Sequence, residues 1–165
     1  MNEADLLTDA FGRIRETVHS AVEGLREDQL AERIDGKANS IAWLVWHLTR
    51  IQDDHVSGVS GLEQVWTADG WYDRFGLPFG PREHGYGHSS EDVSKVRAPA
   101  DLLIGYHDAV HERTTSYVRG LQGTDLDRVI DERWDPPVTL GVRLVSVVND
   151  AMQHAGQAAF VRGLL

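Results

Sequence analysis

Three side chains in this sequence have the types and the spacing of a metal site: His47, Asp150 and His154. Asp150 and His154 are four residues apart in an apolar run, and four residues make about one helical turn, so both lie on one helix face. A carboxylate and an imidazole on one face can bind one metal ion together, as the two histidines of the His-Glu-x-x-His motif do. His47 interrupts a second apolar run, Ile41–Leu48. If the two helices face each other, three protein ligands leave a position for water or substrate, as in catalytic zinc sites.

Each of these side chains also has an ordinary structural explanation. An aspartate among valines and alanines is rarely buried without a partner, and Arg143 or Arg50 would provide a salt bridge for Asp150. The salt bridge and the metal site explain Asp150 about equally well. A single histidine such as His47 or His154 is more often a hydrogen-bonded core or surface residue than a ligand. The combination of the three residues favours the metal site.

A second pair of histidines has the same helical spacing. His107 and His111 are four residues apart, but they lie among charged residues such as Asp108 and Arg113, which is typical of a solvated helix face. We therefore interpret them as structural residues on an exposed face. His55 is the alternative ligand if one of the first three residues is not a ligand.

Composition narrows the classes of function. The 165 residues carry a net charge of −10 and no basic block, which argues against nucleic-acid binding. Without cysteine there is no disulfide, no cysteine-bound zinc and no thiol nucleophile in the chain, so histidine and carboxylate are the strong metal ligands that remain. The apolar runs are too short to span a membrane, and the N-terminus lacks the basic region of a signal peptide. We expect a cytoplasmic protein without a membrane partner.

Four long amphipathic patterns predict helices, because apolar residues recur in them every three or four positions. They run from about Ala4 to Leu25, from Asn39 or Ser40 to about Val56, from Pro99 to about Gly120 and from about Thr139 to Arg162. No series of strands accompanies them. The pattern predicts an all-α four-helix bundle that forms a single domain over residues 1–165.

Two irregular segments, residues 57–90 and 122–137, connect these helices. The first is long for a compact domain, which is typical of a functional loop, and its aromatic residues argue against disorder. We predict an ordered loop between helices 2 and 3 that folds over one end of the bundle. Core packing is the ordinary explanation of most of the tryptophans. The candidate substrate contacts are Trp46, Trp66, Trp71, His84, Trp134 and Arg143.

Two segments together resemble a known family: Asn39-Ser-Ile-Ala-Trp-Leu-Val-Trp-His47-Leu48 and Asp150-x-x-x-His154-Ala-Gly-Gln. They resemble the DinB/YfiT-like superfamily, and within it most nearly the actinobacterial mycothiol-dependent transferase and maleylpyruvate-isomerase-like group. The resemblance covers nearly the whole chain and implies an up-down-down-up bundle with a divalent metal at one end, bound by His47, Asp150 and His154. Many members have histidine in place of Asp150, and the maleylpyruvate isomerase type has glutamate. Because carboxylates favour harder cations than imidazole does, zinc, nickel, manganese and iron all stay open.

The resemblance implies a metal-dependent S-transferase without catalytic residues distinct from the metal ligands. A low-molecular-weight thiol, mycothiol or a relative, would be deprotonated at the metal and attack a small electrophile under the aromatic loop. A metal-dependent hydrolase ranks lower, because general bases are limited to Asp53, Asp54 and His55. A non-catalytic, metal- or ligand-binding stress-response protein is the third hypothesis. A homodimer is a further expectation from the resemblance and from apolar helix ends.

Overall fold

Helices dominate the computed structural model, which describes residues 1–165. The helices are α1 Glu3–Val22, α2 Glu27–Leu30, α3 Ile41–Ser60, α4 Val65–Ala68, α5 Trp71–Phe75, α6 Ser90–Lys95, α7 Ala100–Arg119 and α8 Leu140–Arg162. Short 3-10 helices lie at Ile34–Gly36 and Gly123–Asp127. Two strands, β1 Val129–Asp131 and β2 Val138–Thr139, form a small antiparallel sheet. None of the helices combines the length and the continuous apolarity that crossing a membrane requires.

All four predicted long helices are confirmed, with shifted ends. The first ends at Val22 instead of Leu25. The second continues past Val56 to Ser60 and ends where Gly61 adopts a left-handed conformation with φ 73°, a common way for a helix to terminate. Pro99 precedes α7 as its N-cap residue. The connections contain more regular structure than expected, because α4, α5 and β1 fall within the two irregular segments and β2 directly follows the second.

Side-chain contacts give the direction of the long helices. α3 and α7 run parallel, because Thr49 contacts His107 and, further along both helices, Gln52 donates to Thr114. α8 runs antiparallel to α3, because His55 near the end of α3 contacts Arg143 near the start of α8, whereas His47 contacts His154 further along α8. α8 runs parallel to α1, because Arg162 at the end of α8 binds the Ala21 carbonyl at the end of α1. α1 and α3 each pack against both α7 and α8 and have little contact with each other. The expected up-down-down-up bundle is therefore confirmed.

α3 is buried on all sides over its first ten residues, Ile41–Arg50. Two sides face α7 and α8. The connection that follows α5 covers another side, where the ring of Phe79 stacks on Trp46 with 6.0 Å between centroids. We call residues 76–89 the covering loop. It lies over the part of α3 that carries His47.

A buried ion pair attaches the covering loop to α3. The Arg50 Nη1 atom is 3.8 Å from Asp53 Oδ2 one turn further along. The same guanidinium donates from Nε to the Glu83 carbonyl at 3.1 Å and from Nη2 to the Pro81 carbonyl at 3.2 Å. Asp53 accepts the first two backbone N–H groups of α4, at 2.9 and 2.8 Å. Both the beginning and the end of the α3–α6 connection are therefore bound to one turn of α3.

Candidate metal centre

The three predicted ligands converge between α3 and α8. The ligand atoms of His47, Asp150 and His154 all lie within 4.8 Å of one another. His47 is buried in α3, and the other two are half-buried, one turn apart on α8. The rings of His47 and His154 are 4.8 Å apart between centroids. His55, the alternative ligand, is not part of this group.

Backbone carbonyls orient both histidines. Nδ1 of His47 hydrogen-bonds the carbonyl of His84, and Nδ1 of His154 hydrogen-bonds the backbone carbonyl of Asp150 at 2.8 Å. A carbonyl only accepts, so each Nδ1 carries the hydrogen and each Nε2 keeps a free lone pair. Metal-binding histidines typically donate their other N–H group in this way. Both rings therefore have the tautomer of an Nε2 metal ligand.

Asp150 has no arginine partner. Arg50 is bound to the covering loop and to Asp53, and the side-chain partners of Arg143 lie in α3 and β1. The salt bridge considered for Asp150 is therefore wrong. Its Oδ2 atom is buried without a hydrogen-bond partner, and the Nδ1 atom of His154 is 3.5 Å away. A buried carboxylate oxygen without a partner is costly unless a cation compensates it, so these residues fit a divalent metal.

The protonation states of two of the three residues, His47 and Asp150, agree with metal binding. Burial lowers the pKa of His47 to about 4, so this ring is neutral near pH 7. Contact with the Asp150 side chain raises the pKa of His154. Burial, the largest single cause, raises the pKa of the Asp150 carboxyl, but His154, His47 and His55 together outweigh burial and the pKa lies below its usual value. Metal ligands must be deprotonated, and near neutral pH the carboxylate and the His47 ring already are.

Two residues that sequence reasoning did not single out shape the surroundings of His47. The ring of Trp43 stacks on His47 at 4.6 Å, nearly parallel, and its Nε1–H group donates to Nδ1 of His88 at 3.2 Å. Gly85 has φ +95°, and a Cβ atom there would lie 2.8 Å from His47 Nδ1 and 3.1 Å from the ring of Trp46. Glycine tolerates both the backbone conformation and the close approach. The high glycine content of the loop indicates that its backbone could approach a helix closely, but it does not identify Gly85 as the residue that contacts α3.

Comparison with known proteins gives the family. A family model described as mycothiol-S-transferase matches residues 6–165. The chain belongs to the mycothiol S-transferase family. The resemblance read from the sequence is thereby confirmed. A crystal structure described as a conserved protein of locus from Enterococcus faecalis is similar in fold, with a TM-score of 0.90 and 30% identity over 98% of this chain and 96% of that chain. The search of curated proteins found no match.

In this mycothiol S-transferase family member, cavities lie on both sides of the three candidate ligands along the α3–α8 pair. A mainly apolar cavity of about 330 Å³ is lined by Leu44, Gln157 and Phe160, within one or two turns of the ligands. A polar cavity of about 560 Å³ lies on the other side, lined by His55 and Arg143 among others. The carbonyl of His84 contacts His47, and the ring of His84 accepts the Tyr86 backbone N–H at Nδ1, at 3.3 Å. The centre is thus flanked by one apolar and one polar space.

The four tryptophans named as candidate substrate contacts divide into two groups. Trp46, Trp66 and Trp71 are buried in the core, where Trp66 packs edge-to-face on Trp46. Their burial supports the packing explanation, and a contact of these rings with substrate stays a prediction. Trp134 lies between β1 and β2 with 64% of its surface exposed. Its contact with substrate also stays a prediction.

The second pair of histidines does not lie on a solvated face, as the sequence had indicated. His107 is fully buried, and its Nδ1 atom is 3.1 Å from Thr49 Oγ1. The face is covered because α1 packs against α7, and Arg15 of α1 binds the Asp108 carboxylate at 2.7 Å. Asp108, a charged neighbour of both histidines, thus has a protein partner. His111 is partly exposed, and neither histidine belongs to a group of three metal-ligating side chains.

Proposed function

We propose that this protein is a divalent-metal-dependent S-transferase that joins a low-molecular-weight thiol, mycothiol or a relative, to a small electrophile. Membership of the mycothiol S-transferase family supports the transfer chemistry. The observation that carries the metal dependence is the convergence of His47, Asp150 and His154, with free Nε2 atoms on both rings and a buried carboxylate oxygen without a partner. These residues offer two neutral donors and one negative charge, a set that suits zinc, nickel, manganese or iron.

A divalent ion bound there would lower the pKa of an adjacent thiol, so that the thiolate predominates near neutral pH. The sulfur comes from the co-substrate, because the chain contains no cysteine. The reaction forms one sulfur–carbon bond, and the thiol proton passes to water. A displaced group leaves with its bonding electron pair, whereas an electrophile that undergoes addition takes up a proton.

The protein's own residues would hold the ligands and direct the substrates. Trp43 covers one face of the His47 ring and excludes water from it, and the His84 carbonyl fixes the orientation of that ring. Outer-shell contacts of this kind typically change metal affinity 10- to 100-fold when they are lost. The ring of His84 is our candidate for a substrate contact, since the carbonyl of this residue contacts His47 and the residue is partly exposed.

Metal content tests the proposal first. Untagged, dialysed wild-type protein is compared by mass spectrometry with His154→Ala, and His55→Ala serves as a histidine control outside the ligand group. We expect near-stoichiometric metal in the wild type and the control and none in His154→Ala. Absence of metal from the wild type, even after zinc, nickel or manganese is added, would exclude the metal-dependent reaction.

Dependence on thiol separates this proposal from the others. A transferase requires added thiol, and His154→Ala should abolish conjugation while keeping the helical circular-dichroism signal. Turnover without thiol would favour a hydrolase. An inert protein whose thermal stability alone responds to metal would favour a binding function. A cytoplasmic location and a homodimer stay predictions.

A further inference from the structure

The polar cavity beside the metal centre contains an arginine with spare hydrogen-bond donors. Arg143 lines this cavity of about 560 Å³, and 23% of its side chain is exposed. It uses one donor, from Nη1 to Nδ1 of His55 at 3.0 Å. A guanidinium carries five N–H donors, and the others make no hydrogen bond within the protein, although Nη2 lies 3.7 Å from Asp131 Oδ2 as an ion pair. The hydrogen bond to His55 holds the guanidinium in place, and its remaining N–H groups are available to bind a ligand.

The acidic residues of the cavity do not satisfy Arg143. Asp131 accepts Nε and Nη2 of Arg133 at 2.9 and 2.8 Å. The Oδ2 atom of Asp131 is 3.7 Å from Nη2 of Arg143, which is too far for a hydrogen bond. Asp54 accepts a hydrogen bond from a glutamine amide at 2.7 Å. Three arginines and two aspartates line the cavity, which gives it a net positive charge in a protein of net charge −10.

We propose that this cavity is an anion subsite that binds a carboxylate of a substrate whose reacting atom lies at the metal centre. The inference rests on the proposed function. Arg143 and Asp150 are seven residues apart on α8, so they share one helix face about 10 Å apart along its axis. The planar fork of a guanidinium matches a carboxylate in two parallel hydrogen bonds. The substrate class is therefore a thiol or an electrophile with a carboxylate about 10 Å from the reacting atom.

Binding of a simple carboxylate tests the subsite without any turnover. Zinc-loaded protein is titrated with hexanoate and with neutral hexanamide, and the Nε–H signal of Arg143 is followed in ¹H–¹⁵N spectra. We expect a saturable shift with hexanoate. Hexanamide should bind at least about ten-fold more weakly, because the hydrogen bonds from Arg143 to a carboxylate are charge-assisted and those to an amide are not. Equal affinities, or no saturable shift with hexanoate, would overturn the subsite.

Two variants check that Arg143 is responsible. Arg143→Gln should weaken hexanoate binding about ten-fold or more. Because this variant lacks the Arg143 signal, its titration is followed by the NMR signals of the His55 ring. Arg119→Gln removes the same charge from the exposed end of α7 and should leave hexanoate binding unchanged. Unchanged binding in Arg143→Gln would contradict the assignment.

A second measurement identifies which substrate carries the carboxylate. Cobalt-loaded protein is titrated with 6-mercaptohexanoate and 6-mercaptohexanamide, and binding is followed by the thiolate-to-cobalt absorption band. Preference for the carboxylate thiol in the wild type but not in Arg143→Gln would assign the carboxylate to the thiol. Equal binding of both thiols, with hexanoate still bound at Arg143, would assign it to the electrophile. No band with either thiol would refute the proposed function, while the hexanoate titration would still decide the subsite.

Discussion

At the scale of single residues, Gly85 offers a direct test of how the covering loop supports His47. A Cβ atom at this position would lie 2.8 Å from His47 Nδ1. Gly85→Ala should therefore displace the ring or the loop and lower metal affinity about ten-fold or more. Competition with a chromogenic chelator measures this affinity.

The matched control is Gly87→Ala. Gly87 has a similar positive φ of +79°, but nothing lies within 4 Å of an added Cβ atom. This variant carries the same kind of backbone strain, on the order of 1 kcal/mol, without the collision. If both variants lose metal affinity equally, strain of the loop explains the loss and the contact of Gly85 with His47 does not.

His107 makes stability depend on pH. Burial lowers its pKa to about 3 in the folded protein, against an ordinary value of 6.5. Between these values the unfolded chain binds a proton that the folded protein does not, so stability falls as pH drops below 6.5, by at most about 1.4 kcal/mol per pH unit. His107→Gln should gain stability relative to the wild type from pH 7 to pH 5 in urea unfolding.

His19 provides a control of opposite sign. Burial, the largest single cause, lowers its pKa, but the hydrogen bonds to Asp108 and Glu23 and the charge of Asp108 together outweigh burial and raise the pKa above the ordinary value. Its contribution to stability is full below the unfolded pKa and disappears as pH rises through the folded pKa. His19→Gln should therefore lose stability relative to the wild type on acidification. Parallel pH curves for His107→Gln and the wild type would contradict the buried neutral state of His107.

The sequence could identify the three candidate ligands that the fold brings together, but not the residues around them. The spacing of Asp150 and His154 is local and follows from helix geometry. The contact of Gly85 with His47 joins residues 38 positions apart and depends on the path of the covering loop. Whether Arg50 pairs with Asp150 was equally undecidable, because the partners of Arg50 include loop carbonyls that no local pattern identifies.

At the scale of elements, Arg50 determines whether the covering loop stays attached to α3. It is buried, and its guanidinium binds two loop carbonyls and contacts Asp53. Arg50→Met would leave Asp53 without this cation and the carbonyls without a donor, at a cost of about 3–5 kcal/mol. We expect faster hydrogen exchange in residues 76–89 and weaker metal binding.

Arg82→Met is the control for this element. Arg82 lies on the same loop between the two carbonyls, but it is exposed. Its substitution should leave both hydrogen exchange and metal affinity near the wild-type values. If Arg50→Met unfolds α7 and α8 as readily as the loop, Arg50 supports the bundle as a whole and is not a loop anchor.

The long helices were predictable because each repeats its pattern over about five turns, which a window of residues can detect. The β1–β2 sheet was not, because its strands have three and two residues, too few to establish an alternation. His107 was assigned to a solvated face because its neighbours are charged. The residues that contact this face are distant in sequence: Thr49 of α3 contacts His107, and Arg15 of α1, 93 residues before Asp108, binds the Asp108 carboxylate.

At the scale of the whole molecule, a metal bound by His47 on α3 and by Asp150 and His154 on α8 would link the second long helix of the bundle to the fourth. A ligand that binds only the folded state stabilises it by about 4 kcal/mol at a free concentration 1,000 times its Kd. Removal of metal with EDTA should therefore lower the melting temperature of the wild type. His154→Ala should melt at the same temperature with and without EDTA, and a fall as large as that of the wild type would exclude the three-residue site.

The carbonyl that orients His47 belongs to the backbone of residue 84 and is present whatever side chain that residue carries. The side chain at position 84 can therefore vary in size and polarity without removing the carbonyl that positions His47; such a change gives up only the hydrogen bond that the His84 ring accepts from the Tyr86 N–H at 3.3 Å. Tyr86, which is 84% exposed, is similarly unconstrained by the core. Libraries at these two positions, with Gly85 kept, should change substrate preference while metal affinity stays constant, so selectivity can diversify independently of the metal chemistry.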